Sequence, residues 1–154
     1  MDDKQLALFI IAIFILVVPL SLGLALWLVT RLRRTSDQPL SDAGDGAILV
    51  PVRGLTRRYR LLGHAQNSIN PRLEIVDDGL RFKLFKPDHW RFAELTEVDA
   101  PWSPFVTRLV IRHRTEGQLY VDLADKARAG DFLRALPRDM ALTERAIGIR
   151  DNAS

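Results

Sequence analysis

Residues 6–30, LALFIIAIFILVVPLSLGLALWLVT, form an uncharged run of 25 residues. At about 1.5 Å of rise per helical residue, such a run exceeds the ~30 Å hydrocarbon core of a bilayer. The expectation is one transmembrane helix over residues 6–30, preceded by a short tail at residues 1–5. A cleaved signal peptide needs a basic leader, a shorter apolar stretch and a small-residue cleavage site. Here the leader is MDDKQ and the run ends in RLRR. Pro19 and Gly23 fall mid-span, and membrane helices carry both residue types more often than soluble helices do. Trp27, near the charged end, suits an interfacial anchor.

Orientation follows from the basic flanks. Arg31, Arg33 and Arg34 follow the span, whereas Lys4 precedes it beside Asp2 and Asp3. Retention of the more basic flank predicts a cytoplasmic C-terminal part. Residues 35–47, TSDQPLSDAGDGA, are too polar to bury a core. Residues 31–47 therefore read as a basic flank and flexible linker, and the folded domain starts near Ile48. What remains suffices for one small core. The chain has 22 basic and 19 acidic residues, a net charge of +3 that gives no nucleic-acid signature. It has 0 cysteines, which excludes disulfides, thiolate metal sites and a Cys nucleophile.

Two stretches alternate like hairpins. In LEIVDDGLRFKLF, residues 73–85, a primed turn at Asp78 and Gly79 sets Ile75 against Phe82, Leu73 against Leu84 and Glu74 against Lys83. In LVIRHRTEGQLYVDL, residues 109–123, a three-residue loop Thr115, Glu116, Gly117 pairs Ile111 with Val121 and Leu109 with Leu123. Each hairpin then has one apolar face and one polar face. Further strands are expected at residues 47–53 and around residues 90–95, and residues 55–64, LTRRYRLLGH, lean toward strand. In DKARAGDFLRALP, residues 125–137, Ala129, Phe132, Leu133 and Leu136 recur at helical spacing. Asp125 is placed to cap that helix and Pro137 to stop it.

The DGL of the first hairpin at residues 78–80, AELTEV at residues 93–98, a second hairpin and the closing FLRAL at residues 132–136 resemble the bacterial pleckstrin-homology-like (PH-like) domains. The resemblance covers residues 48–137 and implies a small antiparallel, partly open PH-like β-barrel capped by a C-terminal α-helix; with the apolar run before it, the expected chain is α+β with one N-terminal transmembrane helix. Residues 138–154 are left as a tail. The resemblance further implies a binding or assembly module with no reaction of its own.

His64, His89 and His113 have no partner at ligand spacing, so no metal is expected. The carboxylates Asp77, Asp78, Glu94 and Glu97 read as solvated turn and edge charges. G-x-S-x-G, H-E-x-x-H and a glycine-rich phosphate loop are missing, so neither catalytic residues nor a cofactor are expected. Arg53, Arg57, Arg58 and Arg60 cluster before the first hairpin. Arg81, Lys83, Arg108, Arg112 and Arg114 fall on the polar faces of the hairpins, with Arg112 opposite Tyr120. Their ordinary reading is a solvated face with cross-strand pairs, and their functional reading is contact with anionic lipid. Trp102 and Phe105 lie in the proline-bounded loop APWSPF, residues 100–105, either folded over the end of the barrel or anchoring a protein partner.

The expected protein is thus a single-pass, non-enzymatic module of the bacterial inner membrane, with a cytoplasmic domain that contacts another membrane protein. The alternatives are an anionic-lipid sensor using the basic face and an accessory subunit of an envelope enzyme.

Overall fold

Pro51 cuts short the first expected strand, residues 47–53, which ends at Val50. Lacking an N–H, it cannot extend a ladder. The computed structural model, which describes residues 17–21, 23–24, 38–60, 63–67 and 71–152, accordingly has short strands on either side of it. The chain separates into two units, residues 1–35 and 36–154. In the first, residues 17–21 and 23–24 are helical, and Val17, Leu20 and Leu24 are exposed. No helix among the described residues is long and apolar enough to cross a membrane. Most of the expected span, like Arg31, Arg33 and Arg34, lies outside those residues.

The second unit is α+β. Its strands are β1 (Ser41–Asp42), β2 (Ile48–Val50), β3 (Gly54–Arg58), β4 (His64–Asn67), β5 (Arg72–Val76), β6 (Gly79–Lys83), β7 (Pro87–Arg91), β8 (Leu95–Asp99), β9 (Thr107–His113) and β10 (Gly117–Leu123). Two helices follow, α1 (Lys126–Ala135) and α2 (Glu144–Asn152). The strands form two antiparallel five-stranded sheets, ordered β1-β2-β5-β6-β7 and β4-β3-β10-β9-β8, rather than one closed barrel. A single 3₁₀ turn, Phe92–Glu94, carries the chain from the first sheet to the second, where one strand over residues 90–95 was expected.

Both hairpins form, each displaced by two residues from the expected pairing. Leu73 faces Phe82, Ile75 faces Leu80 and Glu74 faces Arg81, around a loop of Asp77 and Asp78. Neither loop residue has positive φ, so the turn is not of the primed type. Gly79 has a different use: a Cβ there would lie 2.1 Å from the Trp90 carbonyl oxygen and 2.9 Å from Arg91 Cα. The glycine lets β6 and β7 approach closely instead of making the turn. In the second hairpin Ile111 faces Leu119 and Leu109 faces Val121, with Gly117 opposite His113. Gly117 has φ +112°, and a Cβ there would meet the Arg58 carbonyl oxygen at 2.1 Å. That contact seats the turn against the end of β3.

Displacement by an even number keeps every residue on its face. Leu73, Ile75, Leu80, Phe82, Leu109, Ile111, Leu119 and Val121 are all buried. Phe82 and Trp90 meet edge to face, with ring centroids 5.2 Å apart. Helix α1 contributes Ala129, Phe132 and Leu133 to the same core. Its N-terminus is capped by Asp125, whose carboxylate accepts from Arg128 N at 2.8 Å.

Two boundaries need correction. The linker reading of residues 31–47 gives way at Ser41–Asp42, which pairs with β2, while Gly44, Asp45 and Gly46 turn the chain with positive φ. The expected tail, residues 138–154, is folded over its described residues, 138–152. The Val98 amide donates to the Ala141 carbonyl at 2.9 Å and the Thr143 amide to the Val98 carbonyl at 3.0 Å, adding a short segment to the edge of β8. Thr143 then caps α2, its Oγ1 accepting from Ala146 N at 3.4 Å and donating to Asp99 Oδ1 at 2.8 Å. Ala146 is fully buried. An edge strand with unpaired amides invites association, and this segment covers it.

Candidate functional site

Prolines set the β8–β9 connection. Pro101 and Pro104 supply no amide to a ladder and hold their own φ near −65°, so pairing stops after Asp99 and resumes at Thr107. Between them, Trp102 is 80% and Phe105 is 90% exposed. The two aromatics do not fold over the core, which was their ordinary reading. Phe85, in the β6–β7 connection, is 73% exposed. Its exposure continues the alternation that buries Phe82 and Leu84, which turns this apolar side chain outward with Arg81 and Lys83.

The basic residues divide between the sheets. Arg81 and Lys83 lie on the outer face of the first sheet, and Arg108 and Arg112 on that of the second. Most carry a carboxylate partner. Buried Glu74 takes Arg72 at 2.5 Å and Arg81 at 3.4 Å. Arg108 donates to both oxygens of Asp122, at 2.6 and 2.9 Å, which raises its pKa further. Arg112 lies 3.4 Å from Glu97. The Tyr120 ring is opposite Val110, not Arg112, and it is the Arg108 guanidinium that sits 5.7 Å from its centroid.

Arg57 corrects the expected basic cluster. In β3 it shares the inward face with Leu55 and is buried, while Arg58 points out. Its guanidinium pairs with Asp88 and Glu116 and lies over the rings of Tyr59, at 4.6 Å, and Trp90, at 5.3 Å. Its Nε has no hydrogen-bond partner among the described residues. This group joins β3, β7 and the β9–β10 turn, so its first use is structural.

The histidines stay apart. His89 lies 3.1 Å from Asp78 and His113 lies 3.5 Å from Glu94, while His64 is exposed opposite Arg58. The Arg91 amide, with His113 beside it, holds the exposed Glu94 carboxyl below the usual glutamate range. No group of three His, Cys, Asp or Glu side chains suited to a metal occurs among the described residues.

Arg58, Arg60 and Arg114 are exposed and border two open clefts. One, of about 540 Å³, is lined by Arg58, Arg60, His64, Arg108 and Tyr120 among others. The second, of about 440 Å³, is lined by Arg58, Arg60, Arg112, Arg114 and Gln118 among others. Arg58 stands out from Arg57 only once the strand is known to begin at Gly54, because strand alternation then assigns the two to opposite faces.

No family model matches the chain, and no curated protein or solved structure matches it.

Proposed function

We propose that the chain is a single-pass membrane-tethered binding or assembly module of PH-like type, non-enzymatic, with its folded unit in the cytoplasm. In this reading its β8–β9 loop contacts another protein of the bacterial inner membrane. One observation carries it: Trp102 and Phe105 expose 80% and 90% of their surface in a proline-bounded loop. Leaving two large aromatic rings in water forgoes about 1.5 to 3 kcal/mol of burial for each. Rigid aromatics on a constrained loop are efficient interface anchors, because little side-chain freedom is lost when they dock. The carboxylate partners of Arg81, Arg108 and Arg112 leave the outer sheet faces less free to act as lipid-attracting surfaces than their arginine content suggests.

The test is capture from detergent-solubilised membranes. Full-length chain and a Trp102→Ala/Phe105→Ala variant, expressed to equal levels, are compared by quantitative mass spectrometry. The expected result is specific loss of membrane proteins from the variant's capture, with its circular dichroism unchanged because neither ring is in the core. An identical set of captured proteins would refute the loop as the contact.

A further inference from the structure

The two clefts, which share Arg58, Tyr59 and Arg60, have a lining that neither the aromatic loop nor the core explains. Together they present Arg58, Arg60, Arg108, Arg112 and Arg114, and among the described residues no Asp or Glu lines either one. Arg108 and Arg112 are held in place by Asp122 and by Glu97. Arg58, Arg60 and Arg114 make no ion pair among the described residues, so their charge is open to a ligand.

Their placement follows from the strands. Arg58 faces Gln118 in β10, and Gln118 faces Arg112 in β9, so one row across the sheet runs Arg58, Gln118, Arg112. Beyond the strand ends, Arg60 and Arg114 extend the same basic edge. Gly117 lets the β9–β10 turn press against Arg58 and Arg60, with a Cβ there only 3.2 Å from the Arg60 amide nitrogen. That contact brings the two turns, and so Arg60 and Arg114, to one place.

We propose that these clefts bind phosphate-bearing anions, with Arg58 and Arg60 serving both and Arg114 bordering the second. A guanidinium presents a planar fork of donors that matches two phosphate oxygens. Several forks around an opening with no carboxylate among its described lining residues attract such a group at little desolvation cost, because the arginines stay partly hydrated. Asp122 occupies Nε and Nη2 of Arg108, which leaves Nη1 outside that pair. Each cleft falls within the range of roughly 300–1,000 Å³ typical of small-molecule sites. The phosphate could belong to a soluble molecule or to a lipid headgroup; the recognition chemistry is the same. The inference does not depend on the aromatic loop.

The test uses the full chain in neutral detergent. In one arm, pyrophosphate is titrated calorimetrically at about 0.1 M salt, where the Debye length is about 10 Å. In the other, native mass spectrometry counts adducts of phosphatidylglycerol against phosphatidylcholine. Binding of pyrophosphate identifies a soluble ligand class, and selective phosphatidylglycerol adducts identify a headgroup. In the arm that binds, Arg58→Gln/Arg60→Gln/Arg114→Gln should weaken affinity at least about tenfold. The control Lys86→Gln/Lys126→Gln/Arg138→Gln removes the same charge from exposed positions outside both clefts and should change affinity less than about twofold. The proposal is overturned if neither probe binds, or if the two triple variants weaken binding equally.

Discussion

The indole N–H of Trp90 donates to Glu116 Oε2 at 2.9 Å, joining the last strand of the first sheet to the β9–β10 turn of the second. The same carboxylate pairs with Arg57, and Asp88 takes the other side of that guanidinium. Arg57 is thus a buried cation held between two partly exposed anions. Losing either anion leaves one to neutralise it; losing both strands the charge. Asp88→Ala or Glu116→Ala alone should cost under about 1.5 kcal/mol, and the double variant about 3 to 5 kcal/mol, more than the sum of the singles. Urea unfolding of residues 36–154 checks this. Simple additivity would show that Arg57 finds other compensation.

Phe82 is 1% exposed, opposite Leu73 and edge-on to Trp90, whereas its neighbour Lys83 is exposed. Phe82→Ala should therefore cost about 3 to 5 kcal/mol and Lys83→Ala under about 1 kcal/mol. The comparison reads the inward parity of β6 directly. Equal, small losses in urea unfolding would place Phe82 outside the core.

That parity was legible in the sequence, whereas the pairing was not. Period-two alternation reports which face a residue takes, and nothing in it distinguishes pairings two residues apart. Asp78 and Gly79 look like turn residues, yet Gly79 is needed where β6 and β7 touch, so the turn moved back to Asp77 and Asp78. Helix α1 was readable because Ala129, Phe132, Leu133 and Leu136 mark one face and Asp125 caps it. Helix α2 was not, since only Ala146 within it is buried and its position depends on a tertiary pairing with Val98. At the candidate sites, the prolines beside Trp102 and Phe105 marked an unpaired loop, and their exposure became visible only in three dimensions. The outward basic residues were found, but not their carboxylate partners, because Asp122 and Glu97 meet Arg108 and Arg112 only through strand register.

Thr143 tests whether the C-terminal segment belongs to the fold. Its hydroxyl caps α2 and donates to Asp99, while its amide pairs with Val98. Thr143→Ala keeps the amide but removes both hydroxyl bonds, and should cost about 1 to 2 kcal/mol. Thr143→Ser, which keeps the hydroxyl, should recover most of the loss. Hydrogen exchange at the Val98 amide supplies a local reading: its protection should fall in the alanine variant, because it donates to Ala141 in the segment that Thr143 fastens. Unchanged protection and stability would mean that the segment is held by other contacts.

Orientation can be tested apart from any partner. Arg31, Arg33 and Arg34 follow the apolar run, against Lys4 before it, and the side richer in Lys and Arg stays cytoplasmic. A green fluorescent reporter fused after Ser154 should therefore fluoresce in bacteria, while alkaline phosphatase at the same position should stay inactive. Changing Arg31, Arg33 and Arg34 together to Glu removes the bias. Asp2 and Asp3 contribute little to retention, so Lys4 then becomes the stronger signal and a fraction of the chains should invert, dimming the fluorescence and raising phosphatase activity. Alkaline carbonate should leave both forms in the membrane pellet, because inversion changes the direction of the span and not its length. Phosphatase activity in the unaltered chain would reverse the orientation, and extraction by carbonate would remove the span itself.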